Sequence, residues 1–478
     1  MNKLIQFPVT ELKTALTGLS KVTGRSSYLP VLQTIRVTRD GNGIVNLRAT
    51  DLESFGVYQP TEPQPGPACD FLVPTEPLAR LLKNSAGSIH LIPQARHQVI
   101  LRSFLGGSPV DKTVEAPELE EWPPMPEVAA TPILLNEEFR AAVAAALACC
   151  NEETSRPALK GAWVDVTDPK AHYVLGTDGR HLVTTNSFCL DLPKSILIPH
   201  TKFSEWKGFL DDGDWKLALR EAKNAREDGW LQLQSDHWTF LAKQTTEKCV
   251  NWRQCVPASD RAATSIRLSD EARMFLLDVL PKLPGYDDVN QPMVFDAAPP
   301  TLRIKGRARS AEWTAVDVPG ATITGGPMTI HVCRDYVLKA LKFGLTQLDL
   351  YDPLSPLVFH SGGQRIVIMP LNPNAPASAT SPAPTASPSQ SETTNPTEEK
   401  TPMPKATTTE ANSAETAESP VKSLVQHVET IKESLKGVLR DLNDLLDFVK
   451  KTEREKKASE KEIEAVREKL REIQSVKI

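Results

Sequence analysis

The sequence predicts an α+β chain: three similar β-rich domains carrying two helices each, followed by a flexible linker and a coiled coil. Three observations carry that expectation. Short alternating runs of strand type fill residues 1–371, six amphipathic helical segments recur among them about every 60 residues, and the last 107 residues change composition twice.

The strand runs include 34–37, 163–166, 231–234, 302–305 and 366–368, separated by turn signals such as Asp40-Gly41-Asn42-Gly43 and Ser361-Gly362-Gly363. The helices start near Thr10, Thr75, Asn136, His200, Ser269 and Cys333. Three of them follow one kind of strand-to-helix junction, at 71–75, 196–200 and 328–333. A second echo pairs Ala49-Thr50-Asp51-Leu52-Glu53 with Gly176-Thr177-Asp178-Gly179-Arg180. These repeats divide the core near 1–128, 129–259 and 260–371.

Acids gather at the helix starts, where the dipole favours them. Basic residues lie off the apolar stripes: Lys13, Lys21, Arg80, Lys83, Arg140, Lys202, Lys207, Arg273, Lys282, Arg334, Lys339 and Lys342. Singly they are ordinary surface helix formers. Repeated over six helices they suggest one shared positive face suited to phosphates.

From Asn372 to Pro420 there is no Val, Ile, Leu, Phe, Trp, Tyr or Cys, but there are nine prolines. Such a segment buries too little apolar surface to offset its ordering entropy, so residues 372–420 read as a disordered linker. In 421–478, apolar residues step by three and four through Val421, Leu424, Val428, Ile431, Leu435, Val438, Leu442, Leu445 and Val449, then Ile463, Val466, Leu470 and Ile473. That is a heptad array, read either as an oligomeric coiled coil or as a helical hairpin folding back near 450–459.

Formal charge is −5 overall, and the core carries −3 of it. The longest uninterrupted apolar stretch is the ten residues 141–150, too short to span a membrane. The N-terminus lacks the form of a signal peptide. Seven cysteines without C-x-x-C spacing argue against a disulfide framework or a zinc site and for a reducing, cytoplasmic setting. No nucleotide-binding, zincin or hydrolase motif is present, so neither catalytic activity nor a cofactor or metal is expected. Asp51 and Asp178 could be imagined as paired carboxylates of a nuclease. In repeat-equivalent Thr-Asp turns, capping their own backbone is the simpler role. Cys149 and Cys150, on an Ala-rich helix, read as small apolar core residues.

Several segments resemble the bacterial DNA polymerase III beta subunit, the sliding-clamp family. They are 20–25 with Leu29-Pro30-Val31-Leu32, 49–53, 153–161, 177–182, Asn251-Trp252-Arg253-Gln254-Cys255-Val256-Pro257 and Val367-Ile368-Met369-Pro370-Leu371. They stand in the family's order over residues 1–371.

The resemblance implies a DNA clamp fold: a head-to-tail homodimeric ring of six domains that encircles duplex DNA without reading sequence. It also implies a nucleoid-associated role as a processivity factor. Arg25 and Arg156, with Lys83, Lys202 and Lys339 on the helices, are the expected DNA contacts. It further implies a groove between the second and third domains for short peptide motifs of replicative polymerase, clamp loader and repair proteins. Its residues would be Leu159, Thr177, Gly179, Arg180, His181, Leu182, Pro257, Val367, Met369 and Pro370. The family's common order Gly-His-Arg-Leu stands here as Gly179-Arg180-His181-Leu182, and Glu76 occupies a place where a basic residue is common. The resemblance does not extend to the tail, which is expected to bind a helical partner or itself. A clamp-fold scaffold that does not load on DNA is the alternative reading.

Overall fold

Alternating runs become strands and 3.6-residue patterns become helices, in an order that repeats three times. The structure is a computed structural model that describes residues 3–372 apart from 25–28, 96, 152–154, 223, 225, 226, 287, 289 and 309–311. The expected linker beyond Asn372, the coiled coil and Arg25 lie outside the described residues.

The first repeat comprises β1 (Ile5–Pro8), α1 (Val9–Leu19), β2 (Thr34–Arg39), β3 (Val45–Thr50), β4 (Ser54–Tyr58), β5 (Cys69–Pro74), α2 (Thr75–Lys83), β6 (Ser88–Pro93), β7 (Gln98–Leu105) and β8 (Ser108–Glu115). The second comprises β9 (Ile133–Leu135), α3 (Glu137–Leu147), β10 (Gly161–Asp165), β11 (His172–Thr177), β12 (His181–Phe188), β13 (Ile196–Pro199), α4 (Lys207–Leu210), β14 (Trp215–Arg220), β15 (Trp230–Gln234) and β16 (Trp238–Lys243). The third comprises β17 (Thr264–Leu268), α5 (Asp270–Val279), β18 (Pro292–Ala298), β19 (Thr301–Gly306), β20 (Thr314–Asp317), β21 (Ala321–Gly325), β22 (Met328–Cys333), α6 (Arg334–Lys342), β23 (Gln347–Leu350), β24 (Leu357–Ser361) and β25 (Gln364–Ile368). Only the third carries an extra strand, β21, among the described residues.

Two helix starts, those of α3 and α5, follow the capping chemistry of the sequence. The Asn136 side chain accepts from Phe139 N at 3.0 Å and Ser269 from Ala272 N at 3.1 Å, satisfying N–H groups that lack helical partners. The fourth helix departs from expectation, for instead of running on from His200 it is the single turn α4. Ser204 folds the preceding segment tightly, donating to Pro199 O at 2.8 Å and accepting from Thr201 N at 2.9 Å. The Trp206 indole then lies over Gly208, where any Cβ would come within 2.3 Å of the ring.

Each repeat contributes two four-strand groups, and the groups join across repeats. β4 pairs antiparallel with β16, giving the sheet order β5-β2-β3-β4-β16-β15-β14-β9. β12 pairs with β25 in the same way, giving β13-β10-β11-β12-β25-β24-β23-β17-β21. Two four-stranded sheets remain, β1-β6-β7-β8 and β20-β19-β18-β22.

Side chains alternate between the two faces of these sheets. Val183, Ile366 and Ile368 join the large core that the helices cover. Leu182 and Val367 join a separate cluster on the opposite, outer face with Trp163, Leu175, Leu197, Trp252 and Val358.

Candidate functional site

The Thr-Asp turns fold as the residue types dictate. Asp51 Oδ1 accepts from Glu53 N at 3.1 Å and Ser54 N at 2.7 Å, while Thr50 Oγ1 donates to Ser54 O at 2.7 Å. The second turn repeats this bond for bond. Asp178 Oδ1 accepts from Arg180 N at 2.8 Å and His181 N at 2.9 Å, and Thr177 Oγ1 donates to His181 O at 2.6 Å. The residue at the bend is left-handed in both, Leu52 at φ 78 and Gly179 at φ 87. Both aspartates are thus occupied as turn caps. Among the described residues no group of three or more His, Cys, Asp or Glu could hold a metal ion.

The second turn meets β25 at the junction. His181 faces Ile368, Leu182 faces Val367, and Met369 N donates to Arg180 O at 3.0 Å. Period-2 alternation therefore sends neighbouring residues to different places. Leu182 and Val367 are buried in the outer-face cluster with Trp163, Leu175 and Val358. Leu159 Cδ1 lies 3.9 Å from where a Gly179 Cβ would stand. Gly179, Arg180 and Met369 are exposed, and Thr177, Pro257 and Pro370 are half-buried. Arg180 reaches the third repeat, Nη1 donating to Asn290 Oδ1 at 3.0 Å. The result is a packed apolar cluster with an exposed thioether and a guanidinium beside it.

The segment closing the second repeat anchors this cluster. Trp252 Nε1 and Arg253 Nη1 both donate to Asp165 Oδ2, at 2.8 and 2.7 Å, and the Arg253 guanidinium lies 4.4 Å from the Trp252 ring centre. Burial pushes the Asp165 carboxyl up. Bonds from Thr167, Trp252 and Arg253 outweigh it and bring the group down to about 2.

His181 belongs to the other face. Its side chain is buried beneath α6, stacked on Tyr336 with ring centres 4.0 Å apart. Nδ1 lies 2.8 Å from Asp178 Oδ1 without the alignment of a hydrogen bond, and Nε2 lies 3.4 Å from Lys339 Nζ. Tyr336 OH donates to Asp178 Oδ2 at 2.9 Å. Burial foremost, with Lys339 adding to it, holds His181 below the ordinary histidine range despite Asp178. Burial pushes Asp178 up, but the His181 ring and the N–H groups of His181 and Arg180 hold it far below the carboxylate range.

Nothing in the sequence pattern marked Tyr336, Trp163, Asp165 or Asn290. Each acts through a contact between segments far apart in the chain. The spacing of Trp252 and Arg253 within the 251–257 motif was the only available signal.

On the helices, Lys13, Lys83, Lys207 and Lys342 are exposed, as is Arg156; Lys202, expected on the fourth helix, is exposed in the turn before it. Lys339 is half-buried, its ammonium turned toward His181. Arg334 is a correction to the expected basic face. It is fully buried, its guanidinium donating to Leu283 O and, at 2.7 Å, to Pro284 O. Arg273 donates to Leu341 O at 3.2 Å, Arg140 pairs with Asp214 at 2.6 Å, and Arg80 pairs with Glu76. Arg140 on α3 and Arg273 on α5 thus serve the fold, and the exposed basic side chains of the helices lie on α1, α2, α4 and α6.

No protein-family model matches the sequence, and no curated protein sequence does. Solved structures do match the described fold. The DNA polymerase III subunit beta from Pseudomonas aeruginosa superposes with a TM-score of 0.65 at 18% identity, covering 77% of this chain and 99% of that one. The beta subunit of Streptococcus pyogenes DNA polymerase gives 0.65 at 15% identity, over 77% of this chain and 99% of that one. The C. crescentus beta sliding clamp gives 0.66 at 15% identity, over 77% and 98%. Over the described residues, the chain has the fold of these bacterial polymerase clamps.

Proposed function

We propose that residues 1–371 form three clamp domains, with limits near 128 and 259, that two copies close head to tail into a ring around duplex DNA, and that the groove beside Met369 takes short peptides of partner proteins. One observation carries the reading, the rule by which repeats join. β4 and β12 hold the same place in their repeats and pair with β16 and β25, which also hold a common place. Applied once more, the rule leaves two strands to be matched, β20 and β8, each at the end of a four-stranded sheet. In β8 every residue but Val114 is exposed, and β20 is exposed apart from the half-buried Val316. Unpaired edges of this kind call for a partner strand. Two different edges meeting make a head-to-tail contact, which closes into a ring when the rotation permits.

The exposed lysines would then attract phosphates without reading bases, as a sliding contact requires. Retention on DNA would come from enclosure. The test is the mass of the full chain by light scattering, together with retention on nicked circular DNA before and after linearisation. A dimer retained only on the circle supports the ring. A dimer not retained on the circle supports the scaffold reading instead.

A further inference from the structure

The described contacts give Lys339 two demands on one ammonium. It stands on α6 one turn from the exposed Lys342, on the helix-bearing side, yet its Nζ lies 3.4 Å from His181 Nε2. A neutral imidazole can accept there, provided that its proton sits on Nδ1, toward Asp178.

The groups facing His181 are few. Asp178 comes from its own turn, Tyr336 and Lys339 from α6, and Ile368 from β25. From α3 and its end come Cys149 and Cys150, both of which interact electrostatically with Asp178 and Lys339. Burial pushes both thiols up to about 12 and drives the Tyr336 phenol upward as well, so these three are neutral near pH 7. Cys333, its thiol also pushed up by burial, and the exposed Arg180 act on Tyr336 from the border of the cluster. Next to His181 itself stand one anion, Asp178, and one cation, Lys339, and His181 is the group poised to change charge.

We propose that Lys339 is shared between His181 and a phosphate on the helix side, so that binding duplex DNA draws the ammonium away and His181 takes up a proton from solvent in its place. The imidazolium then faces Asp178 as a full positive charge. Asp178 also fixes the N–H groups of Arg180 and His181, and Arg180 O holds Met369 N. Occupancy of the helix side is thereby reported to the turn that borders the peptide groove. The inference rests on the reading of the helices as the DNA-facing side.

The experiment uses the full chain and a short duplex. Calorimetric titration in buffers of different ionisation enthalpy measures protons taken up on binding, while fluorescence anisotropy measures binding itself. Proton uptake on binding is expected below the ordinary histidine range of about 6.5, since burial still holds His181 down once Lys339 has left, and is expected to vanish in Lys339→Met and His181→Gln. Without DNA, the His181 ring resonance, assigned by its loss in His181→Gln, should titrate at higher pH in Lys339→Met, because a neighbouring cation is gone. Lys339→Arg, which keeps the charge, serves as the control for folding. Duplex bound with no proton uptake, or uptake unchanged in Lys339→Met, would overturn the shared-lysine proposal while leaving the DNA reading intact. No duplex binding by anisotropy would overturn both.

Discussion

The two junctions within the chain follow one backbone rule and end in different surfaces. Where β12 meets β25, the outer face is continuous and apolar, from Trp163 and Leu175 across to Leu182, Val367 and Val358. Where β4 meets β16, the residues matching Trp163 and Leu175 are Arg36 and Arg48, which also face each other across β2 and β3. Arg36 is held by Asp70 through two bonds, 2.9 and 2.6 Å long. The arginines split the apolar surface into two patches. The connecting segment covers both, Trp122 packing with Val31, Leu32 and Leu72, and Met125 and Val128 with Phe55, Trp230 and Leu241.

The helix side differs in the opposite sense. At the first junction Tyr58, Trp238 and Trp206 crowd together, the two tryptophan rings 5.4 Å apart and Tyr58 4.8 Å from Trp238, leaving a polar cavity of about 380 Å³. At the second, Thr185 and Gln364 hold the matching places, and with Ala141, Ala144 and Ala145 they line a cavity of about 880 Å³. None of the expected groove residues lines it. On its helix side the first junction is thus filled by its own aromatic rings and the second is left open, whereas the outer faces of both are packed, the second by Trp252, Val250 and Val256 of the segment that closes its repeat. Strand pairing alone builds the scaffold, and a few side chains per face decide whether a junction can receive anything.

The largest way to break that comparison is to open the closed junction. Trp238 is 2% exposed. Trp238→Ala should cost about 3–5 kcal/mol in urea unfolding, as large aromatic truncations do in packed cores, whereas Met369→Ala at the open junction should leave stability unchanged within about 0.5 kcal/mol.

Next is the anchor of the open junction. The Asp165 carboxyl titrates at about 2 in the folded chain and at about 3.9 when unfolded. Its stabilisation is therefore complete above pH 4 and lost as pH falls toward 2. The wild type should lose about 2 kcal/mol of unfolding free energy over that window beyond what Asp165→Asn loses. Parallel curves for the two proteins would remove the anchor from the account.

A smaller effect sharpens the groove. Met369→Ala should weaken capture of partner peptides about fivefold, equivalent to about 1 kcal/mol, while Lys243→Ala, at the matching place of the closed junction, should leave it unchanged. Equal losses in the two variants would mean that the junctions do not differ in use. The smallest effect is at the bends. Leu52→Gly exchanges the cost of a left-handed leucine for glycine's greater unfolded freedom and should stabilise by about 0.5 kcal/mol. Gly179→Leu should destabilise by about 1–2 kcal/mol.

The repeat was legible because it is written in local chemistry. Alternation marks strands, Asn136 and Ser269 mark helix starts, and Thr-Asp fixes a turn whatever surrounds it. The expected groove came only from the resemblance. Alternation explains why its ten expected residues divide: Leu182 and Val367 share one face, and His181, one residue away, falls on the other. Arg334 misled for a tertiary reason, because its partners are carbonyls of a loop about 50 residues earlier. The fourth helix failed for a packing reason, since the Trp206 ring occupies the space beside Gly208.

On the proposed head-to-tail reading, the edges β8 and β20 would make each copy a directional part. If β20 of one copy seeks β8 of the next, the same contact that closes a ring can also run on without end when the turn per copy is wrong. The angles at the two internal junctions would then set the curvature of the assembly. Substitutions that loosen the packing around Trp238, though far from either edge, would shift the population from closed rings toward open filaments.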